Sequence, residues 1–69
     1  MNSFYLEGKN VIELHDLLKI MRLCDSGGMA KTAIAAGAVK VDGKVELRKR
    51  CKIRTGQLVE FQGQKINVV

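Results

Sequence analysis

At 69 residues, with 46% apolar and 28% charged side chains, the chain fits one small globular domain and leaves no room for a second. A net charge of +5 and a pI near 9.6 favour an anionic partner, nucleic acid before a membrane surface. No apolar run approaches the ~20 residues of a membrane span, and residues 1–10 hold no apolar core of a signal peptide, so a cytoplasmic protein is expected.

Ser3-Phe4-Tyr5-Leu6 is a short apolar run that predicts an edge strand, broken by Gly8-Lys9-Asn10. Asn10 with Glu13 three residues on is close to a capping box. Val11, Leu14, Leu17, Leu18 and Met21 follow at helical spacing, predicting one amphipathic helix to about Leu23. His15, Lys19 and Arg22 share a stripe on its other side. Ser26 is a capping residue for a second helix, in which Ala30, Ala33 and Ile34 recur before Gly37 as a left-handed stop. Val39-Lys40-Val41 then alternates with a period of two. Asp42-Gly43 is a strong signal for a two-residue hairpin turn, with Lys44-Val45-Glu46 as the returning strand.

The segment from Lys40 to Arg54 carries Lys40, Lys44, Arg48, Lys49, Arg50, Lys52 and Arg54 against only Asp42 and Glu46. Such clustering suits phosphates, because each one neutralised releases counterions. Alternation in an extended segment would set Arg48, Arg50 and Lys52 on one side, with Lys49, Cys51 and Ile53 on the other. Thr55-Gly56-Gln57 reads as a turn, Leu58 to Phe61 as a strand, Gln62-Gly63 as a turn, and Gln64 to Val69 as a last strand. Together the elements predict an α+β domain, with two helices packed on a small, largely antiparallel sheet.

Chemistry-bearing constellations are sparse. The chain has a single histidine and lacks a phosphate-binding Gly-x-x-x-x-Gly-Lys loop, so no enzyme, cofactor or small-molecule substrate is expected. Cys24 and Cys51 lack the spacing and histidine partners of a zinc site and are read as reduced packing residues. Gly27-Gly28 at the start of the second helix leaves backbone N–H groups open to a phosphate, and His15 could contact phosphate or stack on a base. Phe4, Tyr5 and Phe61 are read as core side chains rather than stacking platforms.

Four stretches resemble the S4 RNA-binding domain family. They are Leu14-x-x-Leu17, Ser26-x-x-x-Ala30-Lys31-x-x-Ile34, Gly37-Ala38-Val39-x-Val41-Asp42-Gly43-Lys44-Val45 and Ile53-x-x-Gly56-Gln57-x-Val59. The match runs from about Glu13 to Phe61 and looks closest to small stand-alone bacterial members. The resemblance implies non-catalytic binding of structured RNA, such as ribosomal or transfer RNA, by a monomer. It places Ser26, Lys31, Lys40 and Lys44 at RNA-contacting positions. The chain departs from the family at Gly27, where arginine is common, at Glu13-Leu14-His15, where Arg-Leu-Asp is common, and at Gln57, where aspartate is common.

The expected RNA-contacting set is therefore His15, Ser26, Gly27, Lys31, Lys40, Lys44, Arg48, Lys49, Arg50 and Lys52. The second helix, the hairpin and the basic segment would form one positive surface. The competing function is an adaptor that binds DNA or an acidic protein through the same cations.

Overall fold

In the computed structural model, which describes residues 2–69, nine elements alternate with short turns. They are β1 (Asn2–Phe4), β2 (Ile12–Glu13), α1 (Leu14–Ile20), α2 (Gly27–Ala35), β3 (Val39–Val41), β4 (Lys44–Val45), β5 (Lys52–Ile53), β6 (Leu58–Phe61) and β7 (Gln64–Val68). Five strands form one sheet in the order β1-β7-β6-β3-β4, and β2 pairs with β5 in a separate two-stranded ribbon. Only the β1–β7 pair is parallel. The α+β architecture predicted from the pattern is the one observed.

Residues paired across neighbouring strands share a face, so register decides which side chains enter the core. Val41, Val59 and Ile66 stand in one row across β3, β6 and β7, and Val39 pairs with Phe61. All five are buried. The next row, Lys40, Glu60 and Lys65, lies on the opposite face. Leu14, Leu17 and Leu18 of α1 and Ala30 and Ile34 of α2 complete the same core. Full burial of an aliphatic side chain such as Ile34 contributes about 1.5–3 kcal/mol. Among the described residues, no polar or charged one is buried.

The local signals of the middle of the chain translate directly. Ser26 Oγ accepts the Met29 N–H at 3.2 Å and caps α2. At the other end Gly37, with φ +78°, donates to the Ile34 carbonyl while Ala38 donates to that of Ala33, a Schellman stop. Asp42 (φ 52°) and Gly43 (φ 82°) form the two-residue turn between β3 and β4, both in the left-handed region that a type I′ hairpin requires.

The first helix differs from the expectation. It starts at Leu14 and ends at Ile20, and no side chain caps it. Ile12 and Glu13, read as its first turn, instead pair with Ile53 and Lys52. The reason is tertiary: the Leu14 and His15 N–H groups donate to the carbonyls of Cys51 and Lys49, at 2.9 and 3.1 Å. Those bonds satisfy donors that a capping box would otherwise serve. The helix stops because Arg22 turns left-handed (φ 60°), with its N–H bonded to Lys19 and that of Leu23 to Leu18.

Candidate nucleic-acid interface

The basic segment is not one extended strand. The Cys51 N–H donates to the Arg48 carbonyl at 3.0 Å, so residues 48–51 form a turn with Lys49 and Arg50 at its corners. Alternation therefore fails from Arg48 to Arg50 and resumes only in β5, where Lys52 is exposed and Ile53 buried. The turn is anchored from behind, because its Lys49 and Cys51 carbonyls hold the start of α1.

Folding back in this way, the arm faces the β3–β4 hairpin across a groove of about 760 Å³. Lys44, Arg48, Lys52 and Arg54 line it, with Asp42 and Glu46 between them. A smaller depression of about 390 Å³ continues it past Arg48 and Lys52 to Arg50. Four cations and two carboxylates leave a modest positive balance, and both carboxylates are held by protein donors. Asp42 accepts from the Leu58 N–H at 2.9 Å and from Gln57 Nε2 at 3.1 Å, and these bonds hold its carboxyl below the ordinary range. Glu46 accepts from the Arg48 side chain and backbone, which pull its carboxyl down to about 2.

Gln57 is the joint of this assembly. Its Nε2 reaches Asp42 in the hairpin turn, and its Oε1 accepts the Arg54 N–H at 2.8 Å. The backbone of Arg54 is thereby fixed in the lining that it shares with Lys44. Arg54 lies outside the expected contact set, although its spacing from Lys52 across buried Ile53 was a usable signal. Glu46, Asp42 and Gln57 also lay outside the set: only the fold brings Asp42 to residues 57 and 58, whereas Glu46 bonds to nearby Arg48.

The other expected residues do not share this groove. Ser26 and Gly28, at the start of α2, border a different depression of about 740 Å³ with Leu23, Met29 and Phe61. Gly27, the first residue of α2, and half-buried Lys31 border neither groove. Lys40 sits on the outer sheet face beside Glu60. Hairpin and arm line this groove without any residue of α2. His15 is withdrawn further: its side chain is 12% exposed, with Nε2 2.8 Å from Glu13 and Nδ1 3.3 Å from Asp16. These three residues are the one grouping of metal-ligand type among those described, and the His15 Nε2 is spent on Glu13. Cys24 is buried and Cys51 half-buried, both as free thiols. Burial raises both thiol pKa values, with Asp25 adding to the shift at Cys24 and Glu46 to that at Cys51.

Residues 4–69 match the S4 domain. The chain belongs to the S4 domain family. YbcJ of Escherichia coli strain K12, named as a candidate RNA-binding protein, is 54% identical over 69 residues, covering 100% of this chain and 99% of YbcJ. The YbcJ of Shigella flexneri, which is uncharacterised, is also 54% identical over the same span. The solution structure of E. coli YbcJ, which reveals an αL motif involved in RNA binding, superposes with a TM-score of 0.77 over 100% of this chain and 87% of that one. The 30S ribosomal protein S4e of Thermoplasma acidophilum is 28% identical, with a TM-score of 0.59 over 81% of this chain and 29% of that protein. Against the S4 pattern, Gln57 in place of aspartate is here a structural bridge, and Gly27 in place of arginine removes a cation from the start of α2. No helix among the described residues is long and apolar enough to cross a membrane.

Proposed function

We propose that this S4 domain binds structured RNA in the cytoplasm, as a monomer and without catalysis, by seating backbone phosphates in the groove between the hairpin and the arm. The observation that carries the reading is the convergence of Lys44, Arg48, Lys52 and Arg54 on one concave surface whose two carboxylates are already hydrogen-bonded. Membership of the S4 family and the RNA-binding motif of YbcJ support it. Arg50, at the outer corner of the turn, extends the site.

Lysines at such positions act as point charges on phosphate oxygens, while arginine adds a planar fork. Sequence would be read weakly. Gln57, the side chain in the groove best suited to base edges, has both its amide groups engaged. Discrimination then comes from the shape and phosphate spacing of A-form RNA. The likeness to a small-subunit ribosomal protein makes ribosomal RNA the first ligand to try.

The test is a salt titration of affinity for one structured RNA and for duplex DNA of matched length. Engagement of about four to six phosphates gives a log–log slope of roughly −3 to −5 for the RNA. No binding at low salt, or equal binding of DNA, would overturn the reading.

A further inference from the structure

The groove contains a carboxylate where simple electrostatics would forbid one. Glu46 lies among cations that are to hold phosphates, and its own charge repels them. Its side chain is only 17% exposed, and Arg48 binds it by three hydrogen bonds, with the Cys51 thiol as a further side-chain partner. Arg48 donates from Nε to Oε2 at 2.9 Å, from Nη2 to Oε1 at 3.1 Å, and from its backbone N–H to Oε2 at 3.0 Å. The guanidinium is thus gripped side-on in the bidentate geometry that fits a carboxylate best. Arg48 Nη2 also approaches Cys51 Sγ at 3.7 Å. Among the described residues Nη1 has no partner for its two donors, on a side chain that remains 77% exposed.

We infer that Glu46 is a positioning residue for RNA, holding Arg48 as a fixed fork whose free Nη1 edge receives one phosphate. The inference rests on the groove being the RNA site. A long arginine side chain loses rotamer freedom when it binds, and prior fixation by Glu46 removes that cost from the binding step. It also confines the phosphate to one place, which favours a rigid duplex array over a flexible strand.

The two roles open to Glu46 predict opposite signs. A merely repulsive carboxylate, once neutralised, should tighten RNA binding and steepen its salt dependence. A positioning carboxylate should weaken binding on neutralisation, although the protein gains positive charge. We expect Glu46→Gln to bind a structured RNA roughly three- to tenfold more weakly, the scale of the net contribution of one ordinary hydrogen bond. In an Arg48→Ala background the same substitution should instead tighten binding, because only the repulsion is left to remove. Arg48→Lys keeps the charge and loses the fork, and should weaken binding about as much as Glu46→Gln. It decides the matter if Glu46→Gln fails to fold. Tighter binding by Glu46→Gln in both backgrounds would overturn the assignment, as would full affinity in Arg48→Lys. Lys52→Ala serves as the control. If Lys52→Ala, Arg48→Lys and Glu46→Gln all bind like the wild type, the groove itself is not the site, and this assignment falls with it.

Discussion

The stretch from Ser26 to Val45 and the arm from Leu47 to Gln57 are both short, and both contribute to one groove. They are held by different means. In the first, each bend is specified by its own residues: the Ser26 cap, the Gly37 stop, and the left-handed Asp42-Gly43 turn. In the second, local bonds close the bends, Cys51 to Arg48 and Gln57 to Arg54, but distant partners tie them to the rest of the chain. Carbonyls of the arm hold the start of α1, and the Asp42 carboxylate draws in Gln57, which fixes Arg54. A scaffold built from local signals thus carries a basic arm that long-range hydrogen bonds tie in place. The pairing suits a small domain, in which few buried side chains must support an exposed functional edge.

The comparison breaks most completely in the shared core. Ile34→Ala empties a fully buried site on α2 and should cost about 2–5 kcal/mol, unfolding both stretches together in one denaturant transition. Separate transitions for helix and arm would show that they are not one cooperative unit. Next comes Gly43→Val, which forces a β-branched residue to φ 82° and should lower stability by about 1 kcal/mol or more. An unchanged melting temperature would contradict the type I′ turn. Asp42→Ala loosens the tie between the stretches, removing both side-chain bonds to residues 57 and 58 while the Asp42 N–H bond to the Leu58 carbonyl stays. Amide exchange should accelerate at Leu58 and Arg54 while the α2 amides stay protected, and uniform acceleration would contradict the division.

The smallest expected effect is on acid stability. The folded carboxyl of Glu46 is depressed from 4.5 to about 2, so its favourable contribution is present above the ordinary value and is lost as pH falls toward 2. The wild type should therefore lose more stability than Glu46→Gln between those limits. Parallel acid-denaturation curves would mean that Arg48 does not hold Glu46.

The same division explains what was legible in the sequence. The second helix, the hairpin and the last two strands could be read because caps, turn pairs and alternation are written within a few residues. The start of α1 could not. Asn10 and Glu13 match a cap pattern, yet the Leu14 and His15 N–H groups find the carbonyls of Cys51 and Lys49, far along the chain. Charge alone identified the arm, but assigning sides by alternation failed where residues 48–51 turn. The expected contact set took in most of the cations near the S4 pattern, with Arg54 left out. Strand register separates Lys40 onto the outer face, and Glu13 with Asp16 withdraws His15. Arg54 lines the groove, where Gln57, three residues on, fixes its backbone N–H.

The most direct test of the central claim, that phosphate contact is concentrated in the groove, compares two double variants that remove equal charge. Lys52→Ala/Arg54→Ala alters the groove, whereas Lys31→Ala/Lys40→Ala alters cations of the same chain that lie outside it. Affinity for one structured RNA is measured across a salt series for each and for the wild type. The groove variant should lose about two units of log–log slope and the other variant well under one. Equal losses of slope would contradict the account and spread the contact over the whole basic surface.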